Sequence, residues 1–298
     1  MPEFGVGVLL PAIVQAVEWT TLPHEFRRPG FSEHSINQKR GKPLDSFLEG
    51  PIYVSSLDLL FVTDIPCGRI FSIDSNANWT LVTEYDGEPN GLVWNHITKK
   101  IGIADFKQGI LEDDPISKEL KTIVARFQGE RLNGPNDLVI SADGVIYFTD
   151  QGMTGLQDPT SRVFRLYPDG RLQLLISNGP SPNRLVLSRD EKALFVAMTR
   201  DNAVWYVPLL SDGSYGIGGP DGMAQDADGN ILVAHSTLGL FMKIKSPRGA
   251  HTTNLTWGGP SMNVLYIVES ETAAILRVDW HCQGWLMKLD KEENFWTK

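Results

Sequence analysis

The stretch from Arg131 to Asp150 constrains this chain more than any other. A polar corner, Asn133-Gly134-Pro135-Asn136-Asp137, leads into the apolar run Leu138-Val139-Ile140. Asp143-Gly144 separates that run from a second, Val145-Ile146-Tyr147-Phe148, which ends on Thr149-Asp150. Asp-Gly between two apolar runs predicts a hairpin, because glycine takes up a positive φ without a Cβ clash. Folding the runs back brings Asn136 and Asp150 to the same end and leaves the apolar middles to build a core.

The unit recurs. Glu49-Gly50-Pro51 leads through Leu59-Leu60-Phe61-Val62 to Asp64, and Pro89-Asn90-Gly91 leads through Ile101-Gly102-Ile103-Ala104 to Asp105. Pro182-Asn183 leads to Met198, Pro220-Asp221-Gly222 to His235, and Thr253-Asn254 to Glu269. Six such hairpins, spaced by roughly 40 residues, predict an all-β chain folded as a six-bladed β-propeller with four strands per blade. After Val204-Trp205-Tyr206-Val207, and again after His235, too few residues remain for a full set of outer strands. Blades four and five are therefore expected to be shortened. The propeller domain takes up residues 44–298; residues 1–43 read as a leader, a closing strand around Val17–Thr21 and a long loop over Arg27–Lys42.

The formal net charge of −9, with no Lys/Arg-rich run, argues against a nucleic-acid partner. The apolar run Val6–Ile13 has no basic segment before it and is too short to span a bilayer. No membrane partner is expected, and a cytoplasmic setting is favoured over secretion. Cys67 and Cys282 are far apart without metal-ligand spacing and read as unpaired.

The starts of the first strands surround the central channel at one end and contribute Glu49, Asn90, Asn136, Asn183, Asp221 and Asn254. One Asn or Asp at such a corner is explained by turn chemistry alone. Six in one register point instead to a ring of carboxylate and amide oxygens, a hard-ligand set suited to Ca²⁺ or Mg²⁺. Other templates fail: no Gly-x-Ser-x-Gly elbow is present, and the six histidines show no zinc spacing. His235 ends a second strand at the ring and is a candidate for the pocket.

As an ordered set, Leu48-Glu49-Gly50-Pro51, Arg131–Asp137, Pro182-Asn183, Gly219–Met223, and Thr253-Asn254 with Trp257-Gly258-Gly259-Pro260 resemble the senescence marker protein (regucalcin)/gluconolactonase family, in its lactonase-like branch. The resemblance runs from about Ser46 to Asp279. It implies a six-bladed propeller with one divalent cation in the central tunnel, commonly Ca²⁺, with Mg²⁺, Mn²⁺ or Zn²⁺ as alternatives. It also implies Glu49, Asn136, Asn183 and Asp221 as metal ligands, with Asp221 as general base or nucleophile, and a small-molecule lactone as substrate. Polarisation of the lactone carbonyl and carboxylate-assisted attack by water would then open the ring. Asn90, Asp105, Asp150, Met198, His235 and Trp257 are placed around the substrate. The alternatives are a phosphotriesterase of the diisopropyl fluorophosphatase type and a non-catalytic calcium-binding propeller.

Overall fold

A computed structural model describes residues 12–209, 223–225, 231–233, 242–248 and 252–280. Three sheets of four strands follow one another along the chain. Blade one is Leu48–Val54, Leu59–Asp64, Arg69–Ile73 and Trp79–Glu84; blade two begins with Pro89–Asn95 and blade three with Pro135–Ile140. Every pairing inside them is antiparallel between chain neighbours, as hairpin-linked strands require. Blade four has three strands among the described residues, Pro182–Leu187, Ala193–Met198 and Ala203–Pro208. The closing blade takes Thr252–Gly258, Val264–Glu269 and Ala274–Asp279 from one end of the chain, and Val17–Thr21 from the other as its outermost strand.

The expectation of six blades is corrected to five among the described residues. Between blade four and the closing blade the described residues form a two-stranded ladder, Met223–Gln225 with Ile231–Val233, and a further strand, Met242–Lys245, which pairs parallel with Ala12–Gln15. Met223–Gln225 touches the first strands of both neighbouring blades, so the inner circle of first strands is continuous. The shortening expected of blade four falls on residues 210–222, which lie outside the described residues; its outermost described strand leaves Tyr206 47% exposed. The loop expected over Arg27–Lys42 also differs, because it contains a short helix, Glu33–Gln38. Ser32 and Ser35 start it by each accepting from the other's backbone N–H, at 3.1 and 2.9 Å.

The core lies between successive blades. Leu48, Leu60, Val62 and Phe71 of blade one meet Val264, Tyr266 and Val268 of the closing blade. On its other side, blade one packs Phe61 and Ile70 against Leu92, Ile101 and Ile103 of blade two. Blades two and three meet through Ala104, Leu138, Phe148 and Phe164, and blades three and four through Val163, Leu185, Leu194 and Val196. Central strands packed on both faces read as near-continuous apolar runs, and Leu59-Leu60-Phe61-Val62 is such a run.

One buried carboxyl works against this packing. Asp113, on the third strand of blade two, is fully buried, and neither carboxylate oxygen has a hydrogen-bond partner. Burial, with the neighbouring Asp114 charge, pushes it up to about 6. A folded-state pKa above the ordinary value means that stability is lost as pH rises from about 4 through about 6 and is not regained above it. Asp113→Asn should therefore raise the melting temperature at pH 7.5 by a few degrees and have no effect at pH 4. Thermal melts of both proteins across that range check it; equal curves at pH 7.5 would count against it.

Candidate functional site

The ladder registers place the site. In blades one, two, three and four the first strand is interrupted by an irregularity immediately after Leu48, Pro89, Pro135 and Pro182 or one residue beyond, and those four residues face Asp64, Asp105, Asp150 and Met198. The residue that follows each one is Glu49, Asn90, Asn136 or Asn183. These side chains occupy equivalent places on neighbouring inner strands, which form one circle. In the closing blade Thr252 faces Glu269, so the equivalent position belongs to Thr253, and Asn254 lies one residue deeper than the sequence pattern places it. Asp221 and His235 lie outside the described residues.

Asn136 is oriented by its neighbours. Its Nδ2 donates to Gln151 Oε1 at 2.8 Å, and Gln151 Nε2 donates to Ser181 Oγ at 2.9 Å. With the amide nitrogen committed, Oδ1 is the end left for a ligand. Glu49 Oε2 accepts from Gly50 N–H at 3.0 Å and from Asn254 Nδ2 at 3.2 Å, and desolvation raises its carboxyl above the ordinary range. Gly50 is required there, since it has φ of +51° and a Cβ on it would collide with the Asn90 carbonyl.

Asp105 and Asp150 do not face the mouth. Both are fully buried. Asp150 accepts from Gly134 N–H at 2.9 Å and from Arg162 Nε at 2.8 Å. Asp105 accepts from the N–H groups of Lys107 and Gln108 at 2.8 and 2.7 Å and from the Tyr85 hydroxyl at 2.9 Å. In blade one, Asp64 accepts from Phe47 N–H at 2.9 Å and from Ser46 Oγ at 2.8 Å. Asp64 and Asp150 thus each hold the backbone two residues before a ring residue, and the Glu88 N–H gives Asp105 the same duty. Met198 stands where these blades carry the acid, buried in the core between blades three and four. Trp257 lies farther along its strand and packs against Trp280, with ring centroids 5.9 Å apart.

Several residues near the ring were not singled out in the sequence. Lys39, just after the short helix, sets its ammonium 3.5 Å from the centre of the Phe47 ring. Burial lowers its pKa, while the charge of Glu49 opposes that shift. From the same helix Gln38 reaches Glu88 at 3.4 Å, and His34 Nδ1 lies 3.7 Å from the same carboxylate. The helix therefore sits beside the corners that carry Glu49 and Asn90. Arg184 and Asp137, each following a ring residue, form an ion pair at 3.5 Å. Neither has a turn signature or a repeat partner that would mark it. Cys67 is free, and Cys282 lies outside the described residues.

The ring's chemistry is that of oxygen donors, with amides in the majority. Among the described residues no group of three or more His, Cys, Asp and Glu side chains is placed to hold a metal ion. None of the helices described there is long and apolar enough to cross a membrane.

Comparison with known proteins bears on this site. The gluconolactonase of Zymomonas mobilis is 32% identical over 228 residues, covering 62% of this chain and 64% of that protein, so the chain spans less than two thirds of this relative's length. Diisopropyl-fluorophosphatase of Loligo vulgaris is 24% identical over 294 residues, covering 79% of this chain and 90% of that protein. Among solved structures, the calcium-binding protein regucalcin from Agrobacterium tumefaciens shares the fold, with a TM-score of 0.70 and 15% identity over 93% of this chain and 98% of that one. Residues 47–271, from just before Glu49 to just after the Glu269 corner, match the family model described as the SMP-30/Gluconolactonase/LRE-like region, and the chain belongs to that family.

Proposed function

We propose that the chain is a hydrolase that opens a lactone ring, with its active centre at the channel mouth. The observation that carries this reading is the register-matched set Glu49, Asn136 and Asn183, in which the Asn136 amide is turned by Gln151 so that its oxygen is free. Family membership and the gluconolactonase relative support it. These residues fit a hard divalent cation, Ca²⁺ foremost, with Asp221 as the fourth ligand. Such an ion would supply Lewis-acid polarisation of the lactone carbonyl and stabilise the developing oxyanion. Asp221 then takes the proton of the attacking water, Asn90 and His235 line the substrate's approach, and Lys39 offers a positive charge to the carboxylate that forms. Residues 44–298 act as one propeller domain in this reading.

The test is a panel of sugar and aliphatic lactones, followed by proton release with and without added Ca²⁺, with a phosphotriester as a further arm. Lactone turnover that disappears on chelation and returns with Ca²⁺ is expected. Phosphotriester turnover alone would favour the reading that the diisopropyl-fluorophosphatase relative supports. No turnover in either arm would leave a binding propeller.

Gln151 gives a second expectation. Groups that orient metal ligands typically contribute 10–100-fold to affinity. Gln151→Ala should weaken the apparent Ca²⁺ affinity by about that factor, while saturating Ca²⁺ restores most of kcat. Calorimetric titration checks it, and unchanged affinity would remove Gln151 from the site.

A further inference from the structure

One residue deeper than the ring lies a second tier. By the same registers it consists of Gly50, Gly91, Asp137, Arg184 and Asn254. Each of the two glycines lets the next blade close in, Gly50 admitting the Asn90 carbonyl. A Cβ on Gly91 would collide with Asp137 Oδ1, so blade two yields the space that the Asp137 side chain fills. Into the same space Arg184 extends from blade four. Its Nη1 donates to Asn254 Oδ1 and lies 3.5 Å from Asp137 Oδ2. Asn254 in turn donates from Nδ2 to Glu49 Oε2 at 3.2 Å. One guanidinium thereby ties blades one, three and four to the closing blade across the axis.

Two features of this tier do not belong to ordinary packing. Asp137 is only 4% exposed, and its Oδ2 has no hydrogen-bond partner, Arg184 being at ion-pair distance only. Arg184 Nε is likewise buried without a partner. Two carboxylates, Glu49 and Asp137, therefore face a confined space together with one amide oxygen, and the positive charge between them comes from the chain itself. Buried carboxylates demand a cation nearby. Oxygens of these types are the ones that Ca²⁺ accepts. We infer that the Arg184 guanidinium is a built-in cation, filling an inner cation position bounded by Asp137, Asn254 and Glu49 and so restricting the tunnel to a single divalent ion at the outer ring. The count of one rests on the proposed ring site; the identity of the inner position does not.

Arg184→Gly gives the position the residue that its register equivalents Gly50 and Gly91 carry. The measurement is Ca²⁺ bound per chain, by equilibrium dialysis and calorimetry, together with the melting temperature as a function of Ca²⁺. Arg184→Gly is expected to take up one more Ca²⁺ than the parent, with a Kd below about 1 mM, in the range of extracellular calcium modules. Its melting temperature should also climb more steeply with Ca²⁺. Arg184→Gly combined with Asp137→Asn should lose the extra ion. If the parent binds none and Arg184→Gly binds one, the ring site falls and the inner position stands. If both bind one, the inner position falls and the ring stands. An Arg184→Gly chain that stays unfolded at 10 mM added Ca²⁺ (about ten times the Kd bound above) also overturns the inference, since an ion at that position should replace the lost charge.

Discussion

Asp221→Asn, saturated with Ca²⁺, is expected to bind a lactone analogue and to turn over lactone at least about two orders of magnitude more slowly than the parent, the loss typical of a missing general base. The substitution keeps the size of the side chain and one oxygen for the ion, but removes the charge and the proton acceptor. Two effects are therefore mixed at low Ca²⁺, and saturation separates them. Had Asp221 only held the ion, excess Ca²⁺ would restore turnover by mass action. A kcat that stays low across a Ca²⁺ titration, with melting temperature and analogue binding recovered, assigns the proton transfer to Asp221. Recovery of parental kcat would take it out of the mechanism and leave it a ligand.

The second large effect is on stability. Arg69 and Asp64 are both completely buried, paired through Nε at 3.0 Å, and Arg69 Nη1 also donates to the Phe26 carbonyl at 2.7 Å. Arg69→Met leaves Asp64 in the core without its counter-ion, a loss of about 3–5 kcal/mol for a broken buried pair. At about 2–4 °C per kcal/mol for a large domain, the melting temperature should fall by roughly 10 °C. Adding Asp64→Leu removes the orphan charge and should recover much of that fall, because an apolar pair of similar volume often replaces a buried ion pair at little cost. Function should not recover with it. Asp64 also holds Phe47 N–H and Ser46 Oγ, the approach to Glu49. The double variant should therefore melt near the parent and still bind Ca²⁺ more weakly. A single variant that melts like the parent would show the pair to be energetically idle.

The hairpin repeat was legible because its signals are local. Paired apolar runs behind a polar corner, with Pro-Asn in blades two and three and an Asp-Gly turn in blade three, marked the first two strands of blades one to three with little error. Where the marks thin out, the reading slips. Thr252-Thr253-Asn254 has no proline, and Asn254 was set in the ring although the ladder gives that place to Thr253. The six-residue helix Glu33–Gln38 has no room for a periodic face, and its capping box uses Ser35 where Glu or Gln is the usual signature, so its segment read as loop. Asp105 and Asp150 were placed at the substrate because they end strands at the correct height. Sequence does not say whether a strand-end side chain points to the channel or into the corner, and here both point into the corner. Arg184 and Asp137 depend on side chains from two neighbouring blades meeting beneath the ring, which no single repeat contains.

Met198 has a mechanical consequence. In blades one to three a carboxylate grips the backbone just ahead of the ring residue, so Glu49, Asn90 and Asn136 are set on stiff mounts. Asn183 has no such grip. Its corner is steadied by the Ser181 carbonyl, which accepts from Thr199 N–H, and by the Ser181 hydroxyl, which accepts from Gln151. The ring is thus a chuck with rigid jaws and one compliant jaw. In the proposed cation site, ions of different radius should be accommodated by travel of Asn183, and because Gln151 also holds Asn136 on the adjacent blade, that travel is geared to the neighbouring jaw.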